Sequence, residues 1–173
     1  MLSEQINWKA KWKIGRYANE QDFNDRRTYP EQEALSHFGR QQFSEVEGNL
    51  LLNAGIQLML DLLIGEAGTV YSNANAYIGV GDSSTAAAAT QTGLQAASNK
   101  LWMPMEDNYP ARSSQTLTFR AVFGSSDGNF AWEEFTIVND EDDDGVNLNR
   151  KVSSQGTKQS GQVWTVDVTL TIS

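Results

Sequence analysis

From Val163 to Ile172 apolar and polar side chains alternate without a break. Trp164, Val166, Val168, Leu170 and Ile172 stand against Thr165, Asp167, Thr169 and Thr171. A period of two puts all five large apolar side chains on one face of an extended chain. Such a strand gains stability only in a sheet whose one side is buried. The pattern returns in Thr116–Phe123, where Leu117, Phe119, Ala121 and Phe123 share a face. Phe130–Val138 is apolar on both faces, through Trp132, Phe135 and Ile137, with Glu133 and Glu134 embedded in it; Leu148–Val152 is shorter. Gly124–Gly128 and Ser153–Gly161 are turn-rich connections between these runs. No parallel βαβ rhythm appears. We therefore expect a mainly β chain: an antiparallel β-sandwich with one apolar α-helix and an extended N-terminal arm.

The helix is expected over 49–64. Leu50–Ile64 is apolar around almost the whole cylinder, with Asn53, Gln57 and Asp61 forming one narrow polar stripe. At 1.5 Å per residue it measures roughly 23 Å, too short to cross a bilayer. Gly65 is the expected stop. A helix this apolar is expected to be covered on nearly every side, by a sheet or in part by a neighbouring subunit. It leads into Tyr77–Leu94, which starts as a strand at Tyr77, Ile78 and Val80. That strand breaks at Gly79, Gly81 and Asp82, and small residues run on from Ser83 to Thr92.

The first part of the chain differs. In Trp8–Tyr17 the side chains of Trp8, Ala10, Trp12 and Ile14 oppose Lys9, Lys11 and Lys13. This reads either as an edge strand protected by lysines or as an arm lying on an acidic partner surface. Ala18–Gln42 is polar and without a sustained period, with a short helical turn expected around Pro30–Phe38. Phe43–Glu47 is a short strand candidate. We expect a strand and extended arm over 1–47 and a sandwich domain over 48–173. Long segments without a core of their own gain order by docking on something. The arm is accordingly expected to contact another chain. Lys9, Lys11, Lys13, Arg16, Arg26 and Arg27 would form the polar rim, and Tyr17, Phe23 and Tyr29 the aromatic anchors.

Charge and composition narrow the function. Net charge is −9 over 173 residues, which argues against a nucleic-acid partner, because phosphate binding needs clustered Lys and Arg. There is no cysteine, so disulfides and thiolate metal sites are excluded. No apolar run reaches membrane-span length, and the opening residues carry no apolar core of the signal-peptide kind. A soluble chain is expected, with no membrane partner.

Enzymatic motifs are poorly represented. Gly79-Val80-Gly81 follows a strand, but Ser84 stands where a dinucleotide fingerprint needs its third glycine. Ser83 and Ser84 beside Asp82 have no nucleophile-elbow context, and His37, the chain's one histidine, lies in a distant loop. Glu133 and Glu134 are adjacent in a strand and point to opposite faces, so they cannot act as an acid–base pair across one cleft. No catalytic residue and no cofactor are expected. The acidic run offers one exception: Asp140, Asp142 and Asp144 followed by Gly145 reproduce the first half of a calcium loop. The twelfth position, where a bidentate Glu belongs, is Lys151. The alternative is a solvated acidic turn.

Taken as a set, several segments resemble small structural proteins of tailed bacteriophages. They are Gly48-Asn49-Leu50-Leu51-Leu52-Asn53-Ala54-Gly55-Ile56, then Asn75–Ala86 (NAYIGVGDSSTA), then Thr92-Gly93-Leu94. Gln115–Phe123 and Phe130–Phe135 are similar to the strands that follow in that pattern. The resemblance covers roughly 48–173. It implies a non-enzymatic virion component, assembled in the host cytoplasm, whose partners are the major capsid protein or tail proteins and which forms a homo-oligomer. Our first expectation is a minor capsid or decoration (cement) protein. The runner-up is a tail, baseplate or fibre-associated protein. A calcium-dependent carbohydrate-binding module is a third reading, since Trp8, Trp12, Trp102, Trp132 and Trp164 could stack on sugars, although Trp132 and Trp164 sit in strand faces suited to the core.

Overall fold

The computed structural model describes residues 7–27 and 42–173. It contains ten strands and two helices among those residues: β1 (Trp8–Tyr17), α1 (Glu20–Arg27), β2 (Gln42–Glu47), β3 (Leu50–Leu51), α2 (Asn53–Ile64), β4 (Tyr77–Gly81), β5 (Lys100–Pro104), β6 (Ala111–Ser113), β7 (Thr116–Phe123), β8 (Glu134–Val138), β9 (Asn147–Val152) and β10 (Val163–Ile172). They form two five-stranded antiparallel sheets, ordered β2-β1-β10-β7-β6 and β3-β9-β8-β4-β5. The fold is a β-sandwich, as the strand patterning indicates.

The alternating strands supply the inner faces. In the first sheet β10 pairs Val166 with Ala121, Val168 with Phe119 and Trp164 with Phe123 of β7. On its other side it pairs Trp12 with Val168 and Ile14 with Val166 of β1 and β10 respectively. The second sheet adds Ile78 and Val80 from β4, Phe135 and Ile137 from β8, and Leu148 from β9. An aromatic cluster joins the layers. The Trp12 and Phe135 rings lie 5.7 Å apart between their centres, and Trp132 stands edge-on to Trp164 at 4.8 Å and to Phe123 at 4.6 Å. Leu117 and Ile172 share the register of this face but sit at its open end, 38% and 43% exposed.

Three expectations are corrected. β1 is not an edge: β2 and β10 flank it on both sides, so it belongs to the sandwich and is no free arm. Its apolar face is complete enough (Ala10, Trp12 and Ile14 buried) to earn a central place. Within Ala18–Gln42, residues Glu20–Arg27 form α1, with acidic Glu20 and Asp22 in the first turn and Arg26 and Arg27 in the last. That charge order suits the helix dipole, and the Asn19 side chain accepts the backbone N–H of Asp22 at 2.9 Å. Pro30–Phe38, with His37, and Tyr29 lie outside the described residues.

The third correction concerns α2. It begins at Asn53, because Leu50 and Leu51 pair with Arg150 and Asn149 as β3. It ends as expected, at Gly65 in the left-handed conformation (φ 81°), with the Glu66 N–H returning to the Asp61 carbonyl at 2.9 Å. It packs on β9 along one line only. Gly55 makes this possible: a Cβ there would fall 2.6 Å from the Leu148 backbone. Leu58 is buried, but Ile56, Leu60, Leu63 and Ile64 are exposed. A cylinder laid on the flank of a sheet is covered on one side, whatever its composition.

Candidate interaction surfaces

The long connection from Asp82 to Asn99 has almost no regular structure, yet it is fixed to the second sheet at many points. Its ends are closed on each other by the Asp82 N–H to the Asn99 carbonyl (3.1 Å) and the Asn99 amide to the Asp82 carboxylate (2.7 Å). Its middle is held by two charges from β8 and β9. The register places Thr136 opposite Arg150, and Glu134 opposite Val152, so Glu134 and Arg150 leave the sheet on the same face, away from Phe135 and Ile137. Both are fully buried. Arg150 Nε donates to Glu134 Oε2 at 2.8 Å, and Nη2 lies 2.7 Å from the same oxygen without an aligned N–H.

Each ion then reaches into the connection. The Glu134 carboxylate accepts the backbone N–H groups of Gln95 (2.9 Å) and Ala96 (2.7 Å). Arg150 Nη1 donates to the Thr85 carbonyl at 2.9 Å and to Gln91 Oε1 at 3.0 Å. Room for the carboxylate comes from Gly81 on β4, where a Cβ would fall 2.5 Å from Glu134 Oε1. Three further ties complete the attachment. Asn147 Nδ2 donates to the Thr92 carbonyl at 2.8 Å, Asp143 accepts the Leu94 N–H at 3.1 Å, and the Asn53 N–H reaches the Ala89 carbonyl at 2.8 Å. Leu94 and Ala96 are buried beneath, while Ser84–Ala86, Ala88, Thr90 and Thr92 face solvent. The result is an ordered surface patch without a charged side chain from Ser83 to Asn99.

The residues expected to form a partner-binding rim are placed differently. Lys9 and Lys11 are exposed on the outer face of the first sheet. Lys11 pairs with Glu45 at 2.7 Å, and Lys13 lies 4.2 Å above the Phe43 ring. Arg16 donates to Ser44 and Gln155 and covers Trp164 at 4.7 Å. Arg26 is bonded to Asp22 within α1, and Arg27 lies over Phe23, 3.7 Å from Glu106. Tyr17 and Phe23 are buried against each other, ring centres 5.1 Å apart, with Val163 beside them. They dock α1 onto its own sheet and present no aromatic surface to another chain. Tyr29 falls outside the described residues.

Among the described residues no three acidic or histidine side chains are grouped as cation ligands. Asp140 accepts the N–H of Glu141, and Asp142 that of Asp144, as expected of a self-bonded acidic turn. The engaged member is Asp143, which the alternate-carboxylate pattern does not include: it bonds Lys100 Nζ at 2.6 Å as well as the Leu94 N–H. Lys158 is a further engaged residue that no sequence pattern marks. It is buried and donates to the Gly124 carbonyl (2.7 Å) and Asn129 Oδ1 (2.9 Å), and burial lowers its pKa from the usual lysine value. The available signal for Glu134 was a charge set among Trp132, Phe135 and Ile137; nothing of that kind marks Arg150 or Lys158.

Glu133 and Glu134 diverge as their adjacency requires, Glu133 to Ser154 at 2.8 Å and Glu134 to the buried guanidinium. No helix of the described residues is long and apolar enough to cross a membrane. Compared with family models, curated proteins and solved structures, the chain matches none.

Proposed function

We propose that this chain is a non-enzymatic structural protein of a tailed-bacteriophage virion, a decoration protein that binds the outer surface of the capsid. The observation that carries the reading is the Asp82–Asn99 connection. It carries part of the segments that resemble phage structural proteins, at 82–86 and 92–94, and it is fastened to the sheet by a buried ion pair. Burying two charges costs several kcal/mol before their attraction and hydrogen bonds offset it. Here part of the offset is the set of bonds to Gln95, Ala96, Thr85 and Gln91, and the same bonds order a neutral, solvent-facing patch. A patch ordered in advance binds a partner with less entropy to lose. The apolar side chains left exposed on α2 lie beside it, joined through the contact of Asn53 with Ala89.

The test is binding of the purified chain to particles that lack it, followed by co-sedimentation of heads and tails separately. Capture by heads, weakened by Ala88→Glu together with Thr90→Glu, is the expected result. These residues are exposed and the substitutions leave the buried attachments in place. Capture by tails alone would assign the chain to the tail or baseplate. Binding to neither overturns the virion reading.

A further inference from the structure

The exposed side chains of α2 form a pattern. Ile56, Leu60, Leu63 and Ile64 are 37%, 57%, 81% and 74% exposed. They stand at i, i+4, i+7 and i+8, so they fall in one strip along the helix. Gly55, against Leu148 of the sheet, and Leu58, against Gly68, are buried on the other side. Among the described residues nothing covers the strip, and contiguous exposed apolar surface of this kind marks an interaction site.

Two features select the occupant. The first is charge. α2 carries a single charged residue, Asp61, about 100° around the helix from Leu60. The adjoining patch from Ser83 to Asn99 is neutral as well. For a chain of net charge −9, a neutral surface lets two copies meet without like-charge repulsion across the contact. The second is symmetry. Ile56 and Ile64 lie four residues to either side of Leu60. A two-fold axis through Leu60 therefore sets Ile56 of each copy against Ile64 of the other, a match that identical chains provide without further adjustment. Such a pair runs antiparallel, bringing each helix N-terminus beside the other's C-terminus. α2 has no acidic residue in its first turn and no basic one in its last, so the opposed dipole ends of a second copy supply the compensation its own side chains lack.

We propose that this strip is a self-association surface through which two copies of the chain pair their α2 helices antiparallel across a two-fold axis. Four apolar side chains make a small contact, for which we expect a dissociation constant of about micromolar order. The inference rests on the helix and not on the virion reading, and its test needs no particle.

The experiment is sedimentation velocity on the full chain across about 1 to 100 µM, a range that brackets that dissociation constant. The mass should rise from 19.1 kDa toward twice that value. Leu60→Asp should raise the dissociation constant at least about tenfold, since a central apolar anchor is lost; Leu63→Asp is the second variant. Both positions are exposed, and circular dichroism verifies that the fold is kept. Because the chain has no cysteine, single cysteines report geometry directly. Leu60→Cys should form a disulfide-linked dimer on mild oxidation, and Asp61→Cys should not. A monomer at every concentration overturns the proposal and leaves the strip to a different protein. A dimer indifferent to both aspartates, or one that cross-links as readily from position 61, overturns it equally.

Discussion

Glu134 and Arg150 each satisfy the other's charge and part of a backbone that would otherwise be unbonded. Removing one partner leaves a buried ion alone, which typically costs about 3–5 kcal/mol. Glu134→Ala is therefore expected to lower unfolding free energy by about that amount, measured by urea denaturation; a loss under about 1 kcal/mol would show that the pair is not holding the connection. In many proteins replacing both members by apolar residues is neutral. Here Gln95 N–H, Ala96 N–H and the Thr85 carbonyl would also lose their partners. The Ala96 N–H is the buried one, and a group of that kind costs about 1–3 kcal/mol when left unbonded, so Glu134→Leu with Arg150→Met should remain destabilising. Asp22 offers a titration test. Burial pushes its carboxyl up, but the hydrogen bond from Arg26 and the Ala18 N–H outweigh this, and the pKa ends below its ordinary 3.8. The folded state thus holds the Asp22 proton less tightly than the unfolded one. The stabilisation is complete above the ordinary value and is lost as pH falls through the folded one. Melting temperatures of wild type and Asp22→Asn should differ near neutral pH and converge at the acid end; a constant difference would refute the pairing.

At the level of elements, patterning was legible and coverage was not. The period-two runs of β7 and β10 and the Gly65 stop of α2 could be read directly, because each is a local property of sequence. The placing of β1 between two neighbours could not, since its lysines serve an exposed sheet face as well as an edge. α1 is not legible in the pattern because it is almost wholly polar, with Phe23 as its one buried residue. For α2 the composition misled. Composition predicts apolar residues that are surrounded, but how many sides a helix has covered depends on where the sheet ends. Truncation separates the sides. Leu58→Ala, at the buried contact with Gly68, should cost about 2–3 kcal/mol. Leu63→Ala should stay within about 0.5 kcal/mol in dilute monomer, as for surface positions generally. Equal costs would mean that the helix is oriented otherwise.

Across the whole molecule one core unites both sheets. Trp12, from the segment expected to form an arm, meets Phe135 of the second sheet, and Trp132 joins Trp164, Phe123 and Phe135. A core shared by both sheets predicts that they unfold together. Tryptophan fluorescence and far-ultraviolet circular dichroism should therefore give coincident transitions, with Trp132→Ala lowering both together by about 3–5 kcal/mol. An early transition confined to residues before 48 would instead restore an independent N-terminal unit. The candidate surfaces were less legible than the core, because the pair that organises the Asp82–Asn99 connection comes from strands far along the chain, and only the sheet register brings Arg150 to the same face as Glu134.

The pairing of β1 with β10 has a mechanical consequence. Trp8 lies opposite Ile172, and Asn7 and Ser173 exchange backbone hydrogen bonds of 2.7 and 3.0 Å. A pull applied between these two residues therefore loads the ladder one rung at a time, as a zipper is opened. It does not stretch all the rungs together, as it would if the two attachment points sat at opposite ends of the pair. Tension entering at this corner peels apart the two central strands of the first sheet at low force. If the sandwich is to bear load, the load has to enter through its faces.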